Sequence, residues 1–267
     1  KDSKNEVAVL VAEGTILSGK ANQGQSIIGS ETFVEEIRKA RKNEKVKAIV
    51  IRINSPGGSS LASDVMWREI TLAAKEKPVI ASMSDYAASG GYYMAMGCDT
   101  IVAQPHTITG SIGVFSVLYD ASGFLGNKLG ITSEELKTGE IGELITVTRP
   151  LSDAEKAIWQ KRTEEVYDAF TSKAAEGRMM TVENIKKVAS GRVWTGEQAK
   201  ERGLVDVLGS FEDAVNIAAE AGKVKDDYKV RFYPQYKPTL FDQLLDQFDE
   251  EAEVRSMKEQ LGDNFYL

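Results

Sequence analysis

The chain has 267 residues, 42% hydrophobic and 27% charged, an ordinary globular composition that fits one large domain or two small ones. A net charge of −7 argues against a nucleic-acid binder, because Lys and Arg are scattered among acids and no basic surface could neutralise a row of phosphates. One cysteine, Cys98, excludes an intrachain disulfide framework, and one histidine, His106, without Cys-x-x-Cys or His-Glu-x-x-His spacing leaves no metal or other cofactor expected.

No apolar run approaches the ~20 residues of a membrane-spanning helix. The chain starts at Lys1, a few residues before the apolar run Val7 to Val11, and so reads as a trimmed or processed fragment whose targeting signal or anchor is missing.

In chain order, residues 6–12 predict a buried strand and 15–31, rich in Gly, Ser and polar groups, a loop. Phe33, Ile37 and Ala40 mark an amphipathic helix that ends among Lys42 to Lys45. The β-branched run at 46–53 predicts a buried parallel strand. A turn at Asn54 to Gly58 follows, then a helix with Leu61, Val65, Met66 and Ile70 on one face. Residues 78–83 predict another strand, Asp85 to Gly91 a sharp turn into a short helix, and 100–104 a further strand. This β-turn-α repetition predicts an α/β domain with largely parallel strands.

The second half reads as more helical. Ser152 and Glu155 form a capping box for a long amphipathic helix over 152–176; Thr181-Val-Glu-Asn and Thr195-Gly-Glu-Gln open two shorter ones. A strand at Leu204 to Val207 and a helix at Phe211 to Ala221 follow, and the domain is expected to span 1–233. Residues 234–267 read as an acidic amphipathic tail.

Two glycine pairs, Gly57-Gly58 and Gly90-Gly91, each follow a predicted strand and precede a predicted helix, where backbone N–H groups are exposed to a reacting group. Either pair alone serves equally well as a tight turn. Ser89 changes that balance, since a hydroxyl at a strand-to-helix turn stands at a helix N-terminus that favours a developing oxyanion. The Gly90 N–H, one residue on, and a Gly57 N–H from the adjacent loop are the candidate oxyanion donors, with Gly58 and Gly91 as secondary candidates. Positions 87–91 are Ala-Ala-Ser-Gly-Gly, so the G-x-S-x-G elbow does not apply.

Ile-Asn-Ser-Pro-Gly-Gly (53–58), Ala-Ala-Ser-Gly-Gly-Tyr-Tyr (87–93) and Thr-Gly-Ser-Ile-Gly (109–113) together resemble the signature of the signal peptide peptidase A (protease IV) family. Gly-Arg-Val-Trp-Thr-Gly-x-x-Ala (191–199) and Gly-Leu-Val-Asp-x-Leu-Gly (203–209) extend the resemblance over nearly the whole chain. It implies a crotonase/Clp-like spiral of βα units with additional C-terminal helices. It also implies a serine endopeptidase acting on short hydrophobic peptides such as remnant signal peptides. By that resemblance Ser89 matches the nucleophile, Gly57 and Gly90 the oxyanion donors, and Ser111 the serine that orients a catalytic lysine. A lysine serves as base only when neutral, which requires burial and suitable neighbours.

The chain departs from the single-length members at that lysine. Its matching place is Gly142, and no lysine occurs between Lys137 and Lys156. Double-length members carry the lysine in an N-terminal half and the serine in a C-terminal half, and this chain resembles the latter. Lys137 reads as a solvated residue at a strand end, His106 as a loop residue, Cys98 as a small buried one, and the Tyr92-Tyr93 pair as packing. The partners implied are a peptide, other copies of the chain in an oligomer and the missing N-terminal half. A membrane is reached through a segment absent here, with the domain on the outer side of a bacterial membrane. The alternatives are a catalytically silent assembly half and a crotonase-like acyl-CoA enzyme, which would need no serine at 89.

Overall fold

In the structure, a computed structural model, residues 3–21, 26–139, 141 and 143–234 are described. Gly142 and the tail beyond Pro234 lie outside these residues.

The chain opens with β1 (Glu6–Glu13), two short strands β2 (Thr15–Leu17) and β3 (Ile27–Gly29), and α1 (Ser30–Lys42). Then come β4 (Val46–Ser55), α2 (Ser60–Ala74), β5 (Val79–Ala88), α3 (Gly90–Ala95), β6 (Thr100–Ala103) and β7 (Ile108–Gly110). After α4 (Ser122–Leu129) and the long α5 (Asp153–Gly177), the chain adds α6 (Val182–Val188), β8 (Val193–Thr195), α7 (Gly196–Glu201), β9 (Val207–Leu208), α8 (Phe211–Ala221) and β10 (Lys229–Tyr233). Lys1–Phe232 forms one compact unit.

The main sheet runs β10-β1-β4-β5-β6-β9, and the pairs β1/β4, β4/β5, β5/β6 and β6/β9 are all parallel. Strands buried on both faces need apolar residues at every position, and β4 meets this with Ala48, Ile49, Val50, Ile51 and Ile53 all fully buried. Alternate residues point to opposite faces. Ala48 and Val50, with Val7, Val9, Ile80 and Val102, pack under Ala214, Val215, Ala218 and Ala219 of α8. The opposite face is covered by α1, α2 and α3, which bury Ile37, Met66, Ile70 and Met94 completely. Each such side chain contributes about 1.5–3 kcal/mol.

Several expectations need correction. The segment 15–31 is not all loop, because Thr15–Leu17 and Ile27–Gly29 pair in parallel as a separate small sheet. On α2 the buried face is Ala62, Met66, Glu69, Ile70 and Ala73, while Leu61 and Val65 are 67% and 45% exposed. The helix is rotated from its apolar stripe because buried Glu69 faces α1 and pairs with Arg38 at 2.8 Å and Arg41 at 3.1 Å. α5 has its capping box at Ser152, yet it buries only Glu155, Phe170, Thr171, Ala174 and Ala175. Thr181 caps α6 alone, since Asn184 does not reach back. The strand expected at 204–207 shrinks to Val207–Leu208, with Leu204 and Val205 buried in the preceding turn.

One irregularity positions the site. Ile53 pairs with Met83, but Ser55 pairs with Ala87, so β5 carries a bulge over 84–86. Beyond it, β5 leaves β6 and pairs with β7, Ala88 against Gly110. The Thr109 hydroxyl donates to the Ala87 carbonyl at 2.7 Å and the Thr107 hydroxyl to the Ser84 carbonyl at 2.6 Å, which holds the bent end in place.

Candidate active site

The bent end of β5 delivers Ser89, which caps α3 with φ 52° and ψ −117°. Positive φ is uncommon outside glycine and costs on the order of 1–3 kcal/mol, so it persists only where surroundings enforce it. Here the Ser89 N–H donates to the Gly110 carbonyl and the Tyr93 N–H donates to the Ser89 carbonyl, both at 2.9 Å. The turn swings the hydroxyl off the strand line and into a cleft of about 1060 Å³.

The loop between β4 and α2 forms the facing wall. The Ile16 N–H donates to the Gly57 carbonyl and the Ser59 N–H to the Ile16 carbonyl, both at 2.9 Å, so Gly58 is bridged to β2. A Cβ on Gly57, whose φ is 103°, would lie 2.8 Å from Ser89 Cβ; one on Gly58 would lie 2.1 Å from the Ile16 oxygen. Glycine at both positions is therefore required by close approach as well as by φ.

The cleft brings together Gly57, Gly58, Ser89, Gly90 and Ser111. Gly91 does not line it and packs instead against the Ser55 carbonyl. The Gly57 N–H is turned inward and donates to Ser55 Oγ at 3.1 Å, whereas the Gly58 N–H has no hydrogen-bond partner among the described residues. The Gly90 N–H, at the first turn of α3, has no intrahelical acceptor. Ser111 also has positive φ, 50°, and its N–H donates to the Arg192 carbonyl at 2.7 Å. The hydroxyls of Ser89 and Ser111 form no hydrogen bond among the described residues.

No lysine or histidine is among the described residues lining this cleft. Lys137 is exposed, as expected, but lies on no strand; its Nζ pairs with Glu135 at 2.7 Å, and Arg149 holds the same glutamate at 2.9 Å. His106 lines a separate small hollow with Asp85 and Tyr86. Cys98 is buried, which pushes its thiol pKa upward, so it is no nucleophile.

Tyr92 and Tyr93 are buried, Tyr93 packing on Trp67 and Phe170; Tyr93 is also among the residues lining the cleft, to which α5 contributes Val166, Tyr167 and Phe170. The distance of Tyr93 from Ser89, four residues or one helical turn, was the available signal. The α5 side chains come from more than 70 positions away, as the numbering of Val166 and Phe170 shows, and no local signal marks them.

A parallel βα sheet with a serine at the strand-to-helix turn defines a Clp protease-like architecture. A solved chain of a ClpP1 mutant from Listeria monocytogenes matches it with a TM-score of 0.50 over 79% of this chain and 95% of that one. At 17% identity the likeness is one of fold. The family is narrower: residues 71–225 match the model for peptidase family S49, and the chain belongs to that family. It is 43% identical over 239 residues to the chloroplastic serine protease SPPA of Arabidopsis thaliana, covering 88% of this chain and 35% of that protein. It is 42% identical over 257 residues to Protease 4 of Salmonella typhi, covering 96% and 40% respectively. A putative protease of Synechocystis sp. is 35% identical over 225 residues, covering 84% of this chain and 77% of that one. The chain thus spans about two fifths of the length of the first two relatives.

Proposed function

We propose that this chain is the nucleophile-bearing half of a double-length serine endopeptidase that uses a Ser–Lys dyad, with the lysine supplied from outside the chain. The observation that carries this reading is a cleft holding two uncommitted hydroxyls, Ser89 and Ser111, and two unpaired N–H groups, Gly58 and Gly90, but no lysine or histidine among the described residues. In the proposed reaction Ser89 Oγ attacks the scissile carbonyl carbon and its proton passes to the neutral lysine. The N–H groups of Gly90 and Gly58 hold the oxyanion, and the lysine returns the proton to the leaving amine as the C–N bond breaks. Water, deprotonated by the same lysine, then hydrolyses the ester and regenerates Ser89. The resemblance implies Gly57 as the loop donor; the bond of its N–H to Ser55 Oγ is the reason that Gly58 takes that role in this proposal.

An assembly with other copies or with an N-terminal half is supported by exposed apolar side chains on the arm that follows Ser111, including Phe115 at 85% exposure, Tyr119, Leu136 and Ile145. Short hydrophobic peptides, remnant signal peptides among them, are the proposed substrates, and the apolar cleft residues Val166, Phe170 and Phe115 suit them. Membrane association on the outer face is proposed to come through a segment outside this chain. Among the described residues no helix is long and apolar enough to cross a membrane. A second reading, a silent assembly half, draws on the same lack of a base among the described residues of the cleft.

The test is peptide hydrolysis by the chain alone, by the chain joined to an N-terminal half, and by the joined form with Ser89→Ala. Turnover only in the joined form, lost in Ser89→Ala, is expected. Full turnover by the isolated chain removes the split dyad, and no turnover in either form favours the assembly reading.

A further inference from the structure

Tyr93 stands one turn after Ser89 on α3, is buried, and lines the same cleft. Because Ser89 and Tyr93 line one cleft, Tyr93 is among the residues that bound the space open to the side chain next to a scissile bond held at Ser89. Its own position is fixed by side chains of two other helices, α2 and α5. The Phe170 ring of α5 packs on it with centroids 4.6 Å apart, and Trp67 of α2 meets it edge-on at 6.4 Å.

The phenol oxygen is not left in the apolar cleft. It donates to Asp64 Oδ1 of α2 at 2.8 Å. The same carboxylate oxygen is paired with the Lys173 ammonium of α5, which lies 4.1 Å from the Trp67 ring centroid and 5.7 Å from that of Tyr93. Burial, and then the hydrogen bond to Asp64 and its charge, push the Tyr93 pKa upward, so the phenol stays a neutral donor and is no base for Ser89. A neutral ring, hydrogen-bonded at its tip and packed on its face and edge, has one orientation.

We infer that Tyr93 is a specificity-determining residue, the end wall of the subsite that takes the side chain beside the scissile bond. Asp64 and Lys173 are positioning residues that lock this wall and so set the depth of the subsite. The inference rests on Ser89 as the nucleophile. It predicts a preference for small or medium apolar side chains over aromatic ones, because the ring already occupies the deep end.

The experiment measures kcat/KM of the hydrolytically competent protein on aminocoumarin peptides that differ only in Ala, Leu or Phe before the scissile bond. Tyr93→Ala is expected to raise the Phe-to-Ala ratio about tenfold, at the low end of what pocket volume commands. Tyr93→Phe and Asp64→Ala keep a ring but free it, and are expected to narrow Leu-over-Phe discrimination about threefold, which a purely structural role would not do. These two variants carry the test should Tyr93→Ala fail to fold, as a thermal melt would reveal. Unchanged ratios in folded variants, with Ser89→Ala inactive, overturn the subsite assignment alone. Turnover that persists in Ser89→Ala overturns the nucleophile and the subsite together.

Discussion

The Gly57 N–H donates to the buried hydroxyl of Ser55 at 3.1 Å, and that bond distinguishes the N–H groups of the two glycines that line the cleft. Ser55 Oγ in turn donates to the Gly14 carbonyl at 2.7 Å, so one fully buried serine ties the loop after β4 to the end of β1. Among the described residues the Gly58 N–H has no partner, and Gly58 lines the same cleft as Ser89.

Replacing Ser55 tests that division. Ser55→Ala leaves a buried N–H and a carbonyl without their partner, and is expected to cost about 1–3 kcal/mol. Urea denaturation reads the loss as a lower midpoint at constant slope. A stability equal to the parent chain would mean that the Ser55 hydroxyl does not hold the loop.

Ser89 stores strain that glycine would release. With φ 52° and ψ −117°, the turn costs the serine about 1–3 kcal/mol, whereas glycine's extra unfolded-chain entropy takes back about 0.4–1. Ser89→Gly is therefore expected to stabilise the fold by about 1 kcal/mol while abolishing hydrolysis. A variant that melts lower than the parent would show that the strain argument fails.

Ser111 is expected to act on turnover rather than on folding. Its hydroxyl bonds nothing among the described residues, so Ser111→Ala should leave the melting temperature unchanged. In the joined form kcat should fall on the order of 10²-fold with KM little altered, as general base catalysis weakens. A parallel rise in KM would point to substrate binding instead.

Acid should loosen the arm ahead of α5 in a defined window. Hydrogen bonds from Arg149, and next from the Ser152 backbone, hold the Glu155 carboxyl at about 2, below its ordinary 4.5. A depressed carboxylate contributes stability that is fully present above the ordinary value and is lost as pH falls through about 2. Trp159, whose indole N–H donates to the Leu144 carbonyl at 2.9 Å, reports on this arm. Its emission should shift red as pH drops through that range, and Glu155→Gln should remove the transition. An identical shift in Glu155→Gln would assign it to other carboxyls.

How far these features were legible in the residues depends on how local their causes are. β1 and β4 were readable as continuous apolar runs and α1 from its apolar periodicity, both written in consecutive residues, and the capping boxes at Ser152 and Thr195 because a cap spans four positions. β2 and β3 were not readable, since three-residue strands carry no periodicity and are held by pairing with each other and, for β2, with the loop at Gly58. The face of α2 was misread because buried Glu69 finds its arginines on α1, a choice made by the neighbouring helix.

The site divides along the same line. The sequence by itself determined the nucleophile candidate and the glycine pairs, because a serine and glycines at strand-to-helix turns are consequences of local backbone chemistry. It also determined that no lysine occurs between Lys137 and Lys156. Only the tertiary structure decided which glycine N–H is free, that Lys137 is held by Glu135, and that Tyr93 and α5 wall the cleft. Those are matters of which distant groups meet, and hydrogen bonds such as Tyr93 to Asp64 form only after three helices have packed.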